Sequence, residues 1–241
     1  MQKMGIIEKA FLRQNRAKVV DDASTDATRL PPTCPSSQIF GILSMSERKA
    51  DARVLPVIVD RWSPRAFDGV AVPAEDLAVI FEAAGLAPSA FNVQPWRFLY
   101  AVPGDANWDA FVDILVPFNQ GWAKDAGALV FILSQETSTG PDGKTGPLYS
   151  HSFDAGSAWA LLAIQATSMG YHTHGMTGID FDKARTVLGV PEGFRIEAAT
   201  VIGRQTTPEK LPDFLREREA PSGRKPVGEF AVAGTFANLP A

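Results

Sequence analysis

The clearest periodicity lies at residues 73–87, PAEDLAVIFEAAGLA, where Leu77, Ile80, Phe81 and Ala84 recur on one helical face. Pro73 and the acidic pair Glu75-Asp76 suit the first turn, where the ring presets φ and the free N–H groups favour negative charge. Residues 154–169, DAGSAWALLAIQATSM, are apolar almost all the way round, which predicts a helix buried on every side. Runs rich in aromatic and β-branched residues predict strands at 96–102, 127–134 and 195–203. Helices are expected at 105–116 and 182–188, a charged helix at 208–219, and a helix at 46–62 interrupted early by Pro56. Ser63-Pro64-Arg65 predicts a turn. No internal repeat occurs. The pattern describes an α+β chain whose most apolar helix needs a second surface, which a symmetric dimer supplies.

Residues 1–44 differ from this. A short amphipathic start gives way to a polar Asp/Thr/Ser/Pro stretch without a sustained apolar period, so 1–44 is expected to be a poorly ordered extension and 45–241 a single domain. Met45 opens the better-patterned chain and is a candidate natural start. The N-terminal stretch lacks the apolar centre and small-residue cleavage site of a secretory signal, so the protein reads as cytoplasmic.

Composition narrows the function. Of 241 residues, 45% are hydrophobic and 21% charged, enough for one substantial core. A formal charge of −4 with no basic run argues against nucleic acid as partner. The apolar runs fall far short of the roughly 20 residues a bilayer helix requires, so no membrane span is expected. Cys34 is the only cysteine, which excludes an intrachain disulfide, a cysteine-rich zinc site and a Cys-X-X-Cys pair. Any redox chemistry must come from a bound cofactor.

Several motifs lead elsewhere or nowhere. STGPDGKTG (138–146) is similar to a phosphate-binding loop, but Ser138 stands where the first glycine belongs and Pro147 interrupts the helix that should follow; an exposed turn at Asp142-Gly143 fits better. His172 and His174 share one side of an expected strand, yet zinc would need further ligands and His151 is the only other histidine, so no metal site is assigned. Neither a Gly-x-Gly-x-x-Gly fingerprint nor a Gly-x-Ser-x-Gly elbow is present. In RWSPRAF, by contrast, Arg61, Ser63 and Arg65 alternate: an extended backbone lets them converge with the donors a phosphate ester selects, while the bland alternative is surface ion pairs with Asp60 and Asp68. Gly203-Arg204 and Arg224-Lys225 are further isolated cations. In GLAPSAFNVQPWRF (85–98), Pro88 and Pro95 stiffen a crossing that carries Asn92 and Gln94, whose amides can read a flat heterocycle with mixed donor and acceptor edges.

In their order along the chain these pieces resemble the nitroreductase family. Arg61-Trp62-Ser63-Pro64-Arg65 is similar to its opening Arg-x-Ser-x-Arg/Lys, and APSAFNVQPWRF (87–98) to its Ala-Pro-Ser-x-x-Asn-x-Gln-Pro-Trp signature. Residues 154–180 resemble its central helix and following glycine-bearing loop, and VIGR (201–204) its last core strand, so the likeness runs from about Leu55 to Glu229.

The resemblance implies a nitroreductase-like α+β fold: a central, mostly antiparallel sheet flanked by helices, with the long buried helix at a homodimer interface. It implies tightly bound FMN, with NADH or NADPH as hydride donor and a small electrophilic acceptor such as a nitroaromatic, quinone or enone, in ping-pong order. Arg61, Trp62, Ser63, Arg65 and Arg224 would attend the phosphate and ribityl end, with Arg204 a further candidate. Asn92 and Gln94 would serve the ring's pyrimidine edge, while Met176, Thr177 and Gly178 would lie against the isoalloxazine. Phe118, Trp122 and His174 would stand near the substrate. No side chain need act as a catalytic nucleophile, because the cofactor carries the chemistry. The alternative is a flavin-binding or flavin-modifying protein of the same fold without such turnover. Three departures stand out: Thr177 replaces a common acidic residue, Ser222 replaces a second basic phosphate ligand, and the loop 135–149 is expected to be variable and to cover the substrate face.

Overall fold

A computed structural model of the chain describes Arg48 and residues 50–240. The expectation for residues 1–44 and the lone Cys34 lie outside the described residues. Four strands form one sheet in the order β1-β2-β6-β5: β1 (Trp96–Ala101), β2 (Ala128–Gln135), β5 (His172–Met176) and β6 (Phe194–Gly203), every neighbouring pair antiparallel. β3 (Thr137–Thr139) and β4 (Thr145–Pro147) make a separate hairpin across the 135–149 loop. Its turn carries Gly143 at φ +77°, so the glycine-rich stretch there is a turn rather than a phosphate cradle.

Central strand β2 explains the two-sided core. Alternate side chains point to opposite faces of a sheet. Leu129, Phe131 and Leu133 join Phe67, Phe111, Ile114, Leu115 and Trp122 on one side. Ala128, Val130 and Ile132 join the other side, beneath α2 (Ala74–Gly85), through Leu77, Ile80 and Ala84, and α5 (His151–Ser168), through Ala155, Ala158 and Leu162. α5 is the long central helix that the sequence predicts, but within one chain it is not buried on every side. Phe153 is 77% exposed, and Gly156 and Ala160 are exposed too. The sheet covers only one face, and the outer face carries Phe153 beside the small residues Gly156 and Ala160.

The other elements are α1 (Pro56–Asp60), α3 (Trp108–Asp113), α4 (Pro117–Ala123), α6 (Phe181–Val187) and α7 (Asp213–Arg216). Three expectations are corrected. Pro56 opens α1 rather than interrupting a helix, because proline is preorganised for the first turn. The helix expected at 105–116 is confined to α3, and Pro117 starts α4 afresh. The charged helix expected at 208–219 is split into a 3₁₀ turn at Pro208–Lys210 and the short α7, because Pro212 between them cannot continue a helical ladder. No described helix is long and apolar enough to cross a membrane.

The segment that leads out of Arg61–Arg65 is fixed to the sheet's end. Phe67 bridges Gln205, the Asp68 N–H donates to the Arg204 carbonyl at 3.1 Å and the Val72 N–H to the Gly127 carbonyl at 2.9 Å. Gly127 and Gly203 leave the room: a Cβ at Gly203 would lie 2.8 Å from the Phe67 ring, and one at Gly127 only 2.4 Å from the Val70 carbonyl oxygen.

Candidate functional site

The structure gathers a group of cations at one end of the sheet. The Arg61 Nη1 reaches Ser63 Oγ at 3.4 Å. Burial, and then the field of Arg224, push the Arg61 guanidinium below its ordinary pKa. Arg224 arrives from the far C-terminal part of the chain, where its Nη1 donates to the Ser222 and Gly223 carbonyls at 3.0 and 2.8 Å. A third guanidinium, Arg48, joins them. It donates to the carbonyls of Val59, Arg61 and Ser222, and burial followed by repulsion from Arg224 and Arg61 lowers its pKa. Nothing in the local sequence marks Arg48, whose site partner at Ser222 is 174 residues away. None of these three arginines makes an ion pair among the described residues.

Arg65 sits on the inner side of this group. Its backbone N–H and that of Ala66 donate to Glu219 Oε1 at 2.6 and 2.8 Å, its guanidinium lies 5.9 Å from the Trp122 ring, and its Nε is buried without a partner. On β5, His172 and His174 face the same side as the sequence predicts. Trp62 packs edge-on against His172 at 6.2 Å, so its indole is buried support for the segment. His174 Nδ1 donates to the Pro64 carbonyl at 2.9 Å, which fixes the neutral tautomer with its proton on Nδ1. His172 Nδ1 is a second buried atom without a partner. Uncompensated guanidiniums, Ser63 and these orphaned polar atoms fit a phosphorylated, polar-edged ligand.

Burial pushes both imidazoles below their ordinary pKa; Arg61 adds to this at His172, while at His174 the Pro64 carbonyl opposes it and Arg65 adds to it. Both histidines therefore fold neutral. The unfolded chain takes up protons at these residues near pH 6.5, so below that pH the unfolded state binds more protons and stability falls as pH drops towards the folded values. The melting temperature is expected to be lower at pH 5.5 than at pH 7.5. A His172→Gln/His174→Gln variant should show a smaller difference between the two, and an unchanged difference would contradict the assignment.

Asn92 and Gln94 occupy a separate loop. Phe91, Asn92 and Gln94 all lie at positive φ, +51°, +56° and +53°, a left-handed run that L residues adopt only when the surroundings impose it. The constraints are visible: Gln94 N–H donates to Ser89 Oγ at 3.0 Å, Gln94 Nε2 to Asn92 Oδ1 at 3.2 Å, and Ala90 N–H to Asp154 Oδ2 at 3.1 Å. Asp154, buried in α5, also accepts from Ser150 Oγ at 2.8 Å. The loop projects Phe91, 99% exposed, and both amides to the outside, and among the described residues no hydrogen bond joins it to the arginine group.

After β5, Thr177 borders a cavity of about 490 Å³ together with Phe181, Arg185 and Arg195. Met176 is buried, and a Cβ at Gly178 would meet Asn119 Nδ2 at 2.4 Å, so only glycine fits where its carbonyl accepts from Val116 N–H and Asn119. Two expected residues are placed otherwise. Trp122 is 2% exposed and packs against Phe67 and His174, which makes it core rather than a surface for an acceptor. The Arg204 guanidinium stacks over Tyr171 at 4.6 Å and donates to its hydroxyl, which in turn bonds Asp76, so it braces α2 and does not join the arginine group. Phe118 is half-exposed beside Phe214. Among the described residues no cluster of three or more His, Cys, Asp or Glu is arranged to hold a metal.

An antiparallel sheet thus lies between two helical layers in an α+β fold, with an arginine group at its end and a strained amide loop in a separate place. The chain belongs to the nitroreductase family, whose model matches residues 58–115. A solved structure described as an oxidoreductase containing FMN is 48% identical and superposes with a TM-score of 0.76 over 78% of this chain and 96% of its own. The CLA biosynthesis enone reductase of Lactiplantibacillus plantarum is 28% identical, covering 56% of this chain and 76% of the enzyme. An uncharacterized 15.4 kDa protein of Mycolicibacterium smegmatis is 30% identical over 52% of this chain and 81% of its own.

Proposed function

We propose that this chain is a cytoplasmic, FMN-dependent oxidoreductase that works as a homodimer, taking hydride from NADH or NADPH and passing it in ping-pong order to a nitroaromatic, quinone or conjugated enone. The observation that carries this reading is that Arg48 ties the Arg61–Ser63 segment to the stretch carrying Arg224, with none of these arginines in an ion pair among the described residues, a donor set that suits a phosphate monoester. The FMN of the 48% identical structure supports the cofactor, and the enone reductase among the relatives supports an enone as one acceptor class. The small outer face of α5 and the exposed Phe230 and Phe236, 61% and 88%, support a partner copy.

When bound, FMN supplies the two-electron chemistry. The chain's own residues bind and orient it. Arg61, Ser63 and Arg224 hold the phosphate, and Arg65 offers its unpartnered Nε nearer the ring. The 89–94 loop presents Asn92 and Gln94 to the pyrimidine edge, its strain and its Asp154 anchor keeping the amides fixed before the ligand arrives. Met176, Thr177 and Gly178 line the ring, with the cavity that Thr177 shares with Phe181, Arg185 and Arg195 open to an acceptor, and His174 and Phe118 serve the acceptor side. Anaerobic addition of NADH or NADPH to the flavin-loaded protein tests the reading. Bleaching of the flavin band followed by recovery on adding a quinone is expected. A band that neither nucleotide bleaches would favour flavin binding without turnover.

A further inference from the structure

Arg48 does more than add a charge. Its Nη1 donates to the carbonyls of Arg61 and Val59 at 2.5 and 3.3 Å, and its Nε to the Ser222 carbonyl at 3.2 Å. Val59 and Arg61 belong to the segment that carries Ser63; Ser222 stands two residues before Arg224. One guanidinium therefore ties together the two stretches that supply the other cations. Its Nη2 makes no hydrogen bond among the described residues. Three like charges gathered here with no carboxylate paired to them among the described residues repel one another, and a shared anion turns that repulsion into binding. Burial and mutual repulsion acting on Arg48 and Arg61 agree with this arrangement.

We propose that Arg48 is a third cation of the flavin phosphate site and the brace that holds Arg61 and Arg224 at the spacing a phosphate monoester requires, an inference that rests on the FMN reading above. It also accounts for Ser222, which stands where the family resemblance leads one to expect a second basic ligand. Here the cation comes from the other end of the chain and contacts the backbone at that very position.

The test is flavin binding, read by fluorescence quenching on the full-length protein stripped of cofactor, with FMN compared with riboflavin, which keeps the ring and ribityl chain but lacks the phosphate. Arg48→Ala is expected to weaken FMN about tenfold and riboflavin less than about twofold, since the phosphate loses one charge-assisted contact and the spacing of its other cations while the ring and ribityl contacts remain. Arg61→Ala is the reference. If it narrows the gap between FMN and riboflavin while Arg48→Ala does not, the role of Arg48 is overturned and the phosphate site stands. If neither variant narrows the gap, the phosphate reading fails and takes this inference with it. Should Arg48→Ala lose both flavins, Arg48→Lys decides, because it keeps the charge without reaching all three carbonyls. Riboflavin binding retained with FMN weakened about threefold supports the proposal, whereas parental FMN affinity overturns the brace.

Discussion

Gly127→Ala is expected to destabilise the protein by about 3 kcal/mol, read as a fall of roughly 6–12 °C in melting temperature. A methyl group there would lie 2.4 Å from the Val70 carbonyl oxygen and 2.9 Å from Val72 Cγ2. Neither neighbour can swing aside cheaply. The Val72 N–H bonds the Gly127 carbonyl and the Gly127 N–H bonds the Ile202 carbonyl, so relief requires the 66–72 segment to leave the sheet end. Because this segment follows directly on Arg65, the variant should also lose flavin affinity. Gly121→Ala is the control. It lies exposed in α4 with nothing within 4 Å of a new Cβ, so the change should be neutral or mildly stabilising. A Gly127→Ala protein that melts with the parent would mean that the close backbone approach is wrong.

Arg61→Ala is expected to weaken FMN by about 10- to 100-fold, the effect of losing a charged hydrogen bond worth about 1.5–3 kcal/mol, while changing riboflavin affinity little. The guanidinium is half-buried, and among the described residues it has no ion pair to release and Ser63 as its only side-chain hydrogen-bond partner. Its removal therefore disturbs the fold less than the ligand. Salt should weaken FMN binding in the parent and do so less in the variant, because one phosphate contact is gone. An equal loss of FMN and riboflavin would place Arg61 away from the phosphate.

Much of this was legible in the sequence where one physical signal dominated. The amphipathic pattern around Leu77 and Ile80 and the β-branched runs at 127–134 and 195–203 recur as α2, β2 and β6 to within a residue or two. Proline blurred the rest: Pro56 starts a helix that pattern alone merged with its neighbours, Pro117 starts one that pattern alone left out, and Pro212 splits another. At the candidate site, Arg61 and Ser63 were readable because they alternate on one stretch. Arg48 was not, since its contacts with Ser222 are set by tertiary folding. Trp122 and Arg204 carried the right chemistry for a site but are used by the core and by Tyr171, a distinction that only packing draws.

The family accounts for the scaffold; whether it carries FMN decides its function. A visible absorption spectrum of the purified protein, with the released chromophore identified after denaturation, tests it directly. A flavin spectrum and FMN at about one per chain are expected. A colourless protein that takes up no added FMN would contradict the FMN reading, and would leave the arginine group as the anion site of a different function.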